Sequence, residues 1–488
     1  MKVRSSRLGT SIGRFSLACL AALVTGCSGD SSNSEPDVGS GPIGGIDGGG
    51  RLFASGPINS FGSVIVNGVT YDTSGAEIIA DDQVVTESAL KVGQIVLISA
   101  TSDGTTLSAD RIVYDDNLEG PIESIDVAGN VLTVLGQTVR VNSVTSFDSD
   151  IPGRTLEGLS IGEIVEISGY VNSSQEIVAT RIELEDDQGD YEVTGIVANL
   201  DSVAMTFSIN NLVVDYSQAS LDDFDSGQIS NGDLVEVEGD QFGNNGELIA
   251  DSVELEDDIR DNDDIEDSDV EIEGLITRFV SATDFDVSGI PVTTNGNTQY
   301  DDGTDADLAL DVLVEVDGRF NSDGVLVADE IDFEEIGRLE IEALVDNVDT
   351  AAGRVTLLGI TVEINDETRM EDDTDAMVRP FSINNINVGD WLEVKGYEEE
   401  PGSNLLTATR VERDDADDEA SIQGFATDVA NPSFRILGLA IDTDGNTEFD
   451  DISASEFFAT AEGRLVEVDG NLNGVRFLAT EVEFEEED

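Results

Sequence analysis

Short runs in which apolar and polar residues alternate recur along the chain, each broken by glycine or asparagine. Leu132-Thr133-Val134-Leu135, then Gly136, then Thr138-Val139-Arg140-Val141 has the two-residue period of a half-buried strand pair around a turn. The same figure returns at Val64 to Tyr71, Phe285 to Val292, Val355 to Ile364 and Phe434 to Ile441, and a further copy carries Asn210-Asn211 at the turn. Glycine and asparagine share that place because both tolerate the positive φ that tight hairpins require.

Three landmarks frame each hairpin. The first is a glycine in an alternating run, at Gly56, Gly120, Gly195, Gly274 and Gly424, with Ala343 in its place once. The second is a strand ending in glycine, such as Leu234-Val235-Glu236-Val237-Glu238-Gly239 or Trp391-Leu392-Glu393-Val394-Lys395-Gly396; the first copy, Ile95-Val96-Leu97-Ile98, lacks that glycine. The third closes the unit with alanine and a β-branched residue, as in Ala179-Thr180-Arg181-Ile182 and Ala408-Thr409-Arg410-Val411. Landmarks recurring six times in one order identify an array. Between the hairpin and the second landmark lies a connector with an aromatic, Phe147, Tyr300 or Phe449, and room for a helical turn.

The element order is therefore three strands, a short helix or loop, and two strands. That is the order of an oligonucleotide/oligosaccharide-binding barrel. The expected fold is all-β, a tandem array of six small five-stranded barrels, with units over residues 51–116, 117–187, 188–258, 270–336, 337–415 and 416–488. Units of this size sit near the lower limit for independent folding. The joints are acidic, at 185–190, 257–269 and 413–419, and such segments repel themselves. We therefore expect an elongated string, with its longest hinge in the linker 259–269.

Residues 1–26 have the form of a secretory signal: Lys2, Arg4, Arg7 and Arg14 precede an apolar stretch, Phe15 to Leu23, too short to span a bilayer. Its ending, Val24-Thr25-Gly26-Cys27, resembles the bacterial lipobox. The resemblance implies acylation of Cys27 with palmitate-type chains, and Ser28 after it favours sorting to an outer membrane. Residues 27–50, rich in Ser, Gly, Asp and Pro, read as a flexible tether from that lipid. Cys19 leaves with the signal, so no disulfide forms within the mature chain.

Charge narrows the partners. The chain carries 23 basic and 104 acidic residues, a net charge of −81. Nucleic acid is disfavoured, because binding it requires lysine and arginine to displace phosphate counterions. Lys91 and Lys395 are the lysines left beyond the signal. Acidic, lysine-poor surfaces keep proteins soluble in strong salt. The functional reading of the same carboxylates is calcium, a hard cation that takes several oxygen ligands. The candidates are Asp257, Asp258, Asp263, Asp264, Glu266, Asp267 and Asp269, then Asp186, Asp187 and Asp190, then Asp414, Asp415, Asp417 and Asp418. None completes a calcium loop, and Asp442-Thr443-Asp444-Gly445-Asn446 reads as a turn.

The chain contains no histidine, the commonest general base and zinc ligand. No catalytic residue is assigned. Trp391, the single tryptophan, takes the place of Ile164, Leu234, Leu313 and Leu465 and is expected in the core beside the following valines. The connector aromatics are expected in the core too, although one ring per barrel mouth is also how sugar platforms are built.

The Gly-x-Ile opening, the glycine-bounded strands at Gly162 to Gly169 and Gly232 to Gly239, and the Ala-x-x-Ile/Val ending resemble a bacterial envelope family known as domain of unknown function 5666. The resemblance spans Leu52 to Glu487 and implies secreted or lipid-anchored tandem barrels, with no activity to carry over. The expected protein is a non-enzymatic, lipid-anchored scaffold or binding protein of the cell envelope, meeting the membrane through its lipid and a polysaccharide or another envelope protein through its barrels. The alternatives are a calcium-stabilised adhesin and a polysaccharide-binding module.

Overall fold

The structure is a computed structural model. It describes residues 50–484, apart from 62, 81–82, 143–144, 186–190, 225–226, 257–264, 266–267, 335–338, 375, 399–403, 416–418 and 451.

Unit 4 shows the plan. Its first strand, Asp269–Ser281, pairs antiparallel with Asp284–Val287, and the hairpin returns as Ile290–Thr293. That third strand runs parallel to the fifth, Leu326–Phe333, which pairs antiparallel with the fourth, Leu313–Phe320. The fourth strand closes the ring by pairing with the first. The spatial order 1-2-3-5-4-1 is a five-stranded barrel, as the element order predicts.

The landmarks mark places where one strand crosses close to another. At the first glycine a Cβ would lie 2.5 Å from Leu135 in unit 2, 2.4 Å from Ile209 in unit 3 and 2.1 Å from Ser288 in unit 4. The hairpin's own side chain lies across the strand there. At the second glycine a Cβ would lie 2.4 Å from the Val178 carbonyl oxygen in unit 2 and 2.1 Å from that of Thr407 in unit 5. Each of those two glycines follows a bulge, Ser168/Gly169 and Lys395/Gly396, and is paired with the buried alanine of the third landmark, Ala179 or Ala408. Unit 1 manages the same bulge with Ala100 opposite Ala109. The connector threonines Thr145, Thr298, Thr368 and Thr447 donate to the carbonyls of Ala179, Ala328, Ala408 and Ala479 at 2.7–2.8 Å. A single hydroxyl thus ties the connector to the last strand in four units.

The helical turn varies. Unit 6 has a helix, Ala454–Thr460, whose N-terminus is capped by the Ser453 side chain accepting from the Glu456 amide. Unit 2 has two 3₁₀ turns, Pro152–Arg154 and Leu156–Gly158, and unit 5 has one, Ile383–Asn385. Unit 3 departs in its ladder. Its first, fourth and fifth strands are each interrupted, so Ala198–Asp201, Thr206–Ile209, Leu212–Asp215, Leu248–Ile249 and Gln241–Phe242 form a sheet apart from Tyr191–Ile196, Leu234–Gly239 and Ser252–Leu255.

The units are not strung out so that each meets only its chain neighbours, which corrects the elongated arrangement expected from the acidic joints. The first strands of units 1 and 4 pair in parallel, Leu52↔Asp269 to Ser55↔Ile272. Those of units 2 and 3 pair antiparallel at Glu192↔Glu119, and those of units 5 and 6 at Ile341↔Ile422. Phe53 of unit 1 lies in the core of unit 4. Across the chain, Asn59 of unit 1 donates to the Glu367 carbonyl of unit 5 at 2.9 Å, and Arg154 of unit 2 meets Asp414 of unit 5 at 2.6 Å. The physical reason is that small barrels gain by covering each other's strand edges and outer faces. Within the linker expected to act as a hinge, Ile265 is buried in the unit 4 core.

Candidate functional site

Side chains on alternate residues of strands one, four and five point out of each barrel, and in units 2 to 6 these positions are rich in carboxylates. The register sets the equivalences. In unit 4, Glu271 pairs with Asp317 and Glu273 with Glu315 across strands one and four, and Asp317 and Glu315 pair in turn with Glu330 and Asp332 on strand five. In unit 5 the same six places hold Glu340, Lys395, Glu342, Glu393, Arg410 and Glu412. Two carboxylates have become cations.

In unit 5, Lys395 Nζ lies 3.0 Å from Glu393 and 3.8 Å from Glu340, and Arg410 is paired with Glu412. Burial works against the Glu393 charge, but Lys395 and Arg410 more than offset it and bring its carboxyl down to about 2. Glu340 is pushed up by burial to about 7 in spite of Lys395. Lys395 is held above the ordinary lysine range, because Glu340 and Glu393 outweigh its own burial.

In unit 4 nothing comparable occurs. Burial first and Asp317 second push the Glu271 carboxyl well above the usual range. Burial and then Glu271 do the same to Glu315, and burial with Glu330 and Asp332 lifts Asp317 to about 7. One carboxylate oxygen from each of Glu271, Glu315 and Asp317 lies within 4.8 Å of the others. None of the three forms an ion pair among the described residues.

Two further acidic groups differ from this one. Glu371, Asp373 and Glu412, at the contact of units 2 and 5, are met by arginines: Arg181 at 3.4 Å from Glu371, Arg154 at 3.3 Å from Asp373, and Arg410 at Glu412. The contact is reciprocal. Arg181 of unit 2, 3% exposed, reaches Glu371 of unit 5, while Arg410 of unit 5 donates to the Thr145 carbonyl of unit 2 at 2.9 Å. Arg181 also donates to the Val92 carbonyl of unit 1 at 3.0 Å, so one guanidinium joins three barrels. Glu192, Glu236 and Glu238 of unit 3 form the other group, where Ser252 donates to Glu238 at 2.6 Å.

Tyrosines add a second kind of joint. Tyr114 of unit 1 donates to Glu166 of unit 2 at 2.5 Å, and Tyr170 of unit 2 donates to Glu273 of unit 4. Where units 1, 4 and 5 meet, a cavity of about 60 Å³ is lined by Asn59, Glu273, Glu334, Glu367 and Arg369 among others. It has room for a few waters and falls far below the size of a small-molecule pocket.

The calcium candidates read from the sequence are not brought together among the described residues. Asp257, Asp258, Asp263, Asp264, Glu266 and Asp267 lie outside the described residues, as do Asp186, Asp187, Asp190, Asp417, Asp418 and Cys27. Asp269 is bound to Arg319 at 2.5 Å, and Asp414 to Arg154. Asp415 is exposed, its amide donating to Asp414. Asp442 pairs with Arg476, and Asp444 accepts from the Asn446 amide at 2.7 Å, the geometry of a turn. Trp391 is buried in the core cluster as expected, 5% exposed, although it stands on the Glu393 side of its strand, where its Nε1 donates to Glu342 at 2.8 Å. Phe147, Tyr300 and Phe449 pack against the cores.

Sequence reasoning missed the seam residues because they sit singly in strands, as Glu271, Glu315 and Asp317 do. The available signals were the arginines in the Ala-Thr-Arg endings of units 2 and 5 and the lysine at Lys395.

Barrels of this plan, repeated six times with the ladder of unit 3 split between two sheets, and joined by charged outer faces, define an all-β tandem-barrel protein. The chain belongs to the family described as Domain of unknown function (DUF5666), which matches at residues 55–113, 119–183, 194–254, 273–332, 341–412 and 423–483. No curated protein matches the sequence.

Proposed function

We propose that this is a non-enzymatic scaffold or binding protein of the bacterial cell envelope, tethered by a lipid on Cys27. The observation that carries the reading is where the charged and polar side chains are used. In an enzyme they converge on a cleft that one unit owns; here Arg154, Arg181, Arg410, Tyr114 and Tyr170 are committed to holding one barrel against another. The leader and its Val24-Thr25-Gly26-Cys27 ending support the anchor. Among the described residues no helix is long and apolar enough to cross a membrane. A sugar platform draws less support, since the exposed rings among the described residues are Phe242 and Phe425, each 39% exposed and on different units, and Phe242 is packed on Tyr191 at 5.0 Å between ring centres.

Membrane fractionation with labelled palmitate tests the anchor. The full chain is expected in the membrane fraction, acylated and released by detergent, and Cys27→Ser is expected to lose the label and the membrane association. An unlabelled wild type that stays in the soluble fraction would sink the reading.

A further inference from the structure

The seam between units 1 and 4 gathers buried oxygen atoms that have no hydrogen-bond partner, and they come from both barrels. Parallel pairing of the two first strands sets Ala54 of unit 1 beside Glu271 of unit 4. Gly56 then lets the hairpin turn of unit 1 fold down onto the seam: a Cβ at position 56 would lie 1.9 Å from Asn67 Oδ1. Asn67 is 4% exposed, and its amide nitrogen faces the Ser55 carbonyl at 3.3 Å, leaving Oδ1 unpartnered. Tyr71, on the return strand of that hairpin, is fully buried with an unpartnered hydroxyl, and the charges acting on it are those of Glu271, Glu315 and Asp317. Glu271 itself is 5% exposed and has an unpartnered Oε1.

Folded proteins leave few buried polar atoms unsatisfied, and each such atom asks for an explanation. One of these atoms belongs to the carboxylate group itself, Tyr71 faces the charges of all three carboxylates, and the Asn67 side chain is hydrogen-bonded to Glu271; together, with no arginine or lysine paired to the group among the described residues, they point to a positively charged ligand. The donor set is all oxygen: carboxylates, an amide carbonyl and a phenol. Oxygen donors of this kind suit hard cations, whereas zinc sites are built mainly from thiolate and imidazole. Binding would release the protons these carboxyls otherwise hold, and a monovalent ion would leave two of the three charges so formed uncompensated.

We propose that Glu271, Glu315 and Asp317 of unit 4, with the Asn67 side-chain carbonyl and the Tyr71 hydroxyl of unit 1, hold a hard divalent cation, calcium by its ligand preference, and that the ion fastens unit 1 to unit 4. The site does not depend on the envelope or anchoring reading. It lies between barrel faces and uses none of the acidic linker runs.

The test is titration of the full chain with calcium chloride, and separately with terbium chloride, in chelator-treated buffer at constant ionic strength. Wild type is expected to bind one calcium equivalent with a dissociation constant of about 10⁻⁴ M or tighter, above the weak background of surface carboxylates. Glu271→Gln with Glu315→Gln should weaken that step at least tenfold, whereas Glu448→Gln, exposed on unit 6, should leave it unchanged. Tyr71→Phe supplies an arm that leaves the carboxylates intact: calcium affinity should stay within about threefold, while the terbium emission excited through tyrosine should largely disappear. Equal calcium binding by wild type and the double glutamine variant would overturn the proposal, and so would terbium emission that survives Tyr71→Phe.

Discussion

Units 4 and 5 place six outward side chains at the same points of the same ladder, yet their electrostatics are opposite. Position 317 is aspartate and position 395 is lysine, and positions 330 and 410 are glutamate and arginine. In unit 5 the buried carboxylates are answered from within the barrel, and Glu393 stays ionised. In unit 4 no lysine or arginine pairs with Glu271, Glu315 or Asp317 among the described residues, the Asn67 hydrogen bond to Glu271 does not offset its burial, and Glu271 and Glu315 hold their protons well above the usual range. The backbone device is common to both, down to the bulge at Gly318 and Gly396. One barrel design can thus carry either a self-neutralised face or a face that waits for a cation from outside. The choice costs only two substitutions on strands four and five.

The largest effect should come from breaking the self-neutralised face. Lys395→Met leaves the partly buried Glu340 and Glu393 without their nearest cation, at a cost of up to about 3–5 kcal/mol, the range typical of breaking a fully buried pair. A lower melting temperature is expected, with the fluorescence of Trp391 reporting the loss in unit 5. The equivalent neutral change in unit 4, Asp317→Asn, should act in the opposite direction. It removes a repelling charge, and in chelator it should stabilise by about 1–2 kcal/mol after allowing for solvent screening. If both changes lower the melting temperature, the two faces do not differ as described.

The pH dependence sharpens the same contrast. Carboxyls in the unfolded chain titrate near about 4. Asp317 titrates near 7 in the fold because of burial, then Glu330, Asp332 and Asp269, and burial raises Glu271 and Glu315 well above the usual range as well. The folded protein therefore binds more protons than the unfolded chain from about pH 4 upward, and stability falls as pH rises through 7. Glu393 works the other way: its contribution is present above its unfolded value and is lost as pH falls towards 2. Melting in chelator between pH 5 and 8 should show the decline, and Asp317→Asn should reduce it without abolishing it, since Glu340 also titrates near 7. A melting temperature that rises with pH over that range would refute the assignment.

What the sequence made legible was whatever depends on neighbours along the chain. The hairpin period, the two glycines and the closing alanine identify the barrel because each is a local demand, such as the missing Cβ at Gly169 beneath the Val178 carbonyl. The packing of unit 1 on unit 4, or of unit 2 on unit 5, depends on residues that meet only after folding. Glu271 and Asp317 read as ordinary solvated positions of alternating strands. Runs of aspartate drew attention to the joints, yet Asp269 belongs to Arg319 and Asp414 to Arg154. Single residues of unexpected sign, Lys395 above all, were better guides to the site than the acidic runs.

The smallest effects should come from two glutamates that occupy one position, Glu273 in unit 4 and Glu342 in unit 5, each served by a neutral donor from a different source. Glu342 receives the Trp391 Nε1 hydrogen from its own unit at 2.8 Å, whereas Glu273 receives the Tyr170 hydroxyl from unit 2. Glu273 is raised by burial first, with Arg369 and Tyr170 working against that rise. Tyr170→Phe should therefore lift it further and cost about 0.5–1.5 kcal/mol, the usual net range for a hydrogen bond. Trp391→Phe removes a bond of the same kind but leaves the contact between barrels untouched. Limited proteolysis separates the two: Tyr170→Phe should expose cleavage between units before the melting temperature falls far, and Trp391→Phe should not. Identical cleavage patterns in the two variants would mean that the tyrosine is packing within its own barrel rather than joining two.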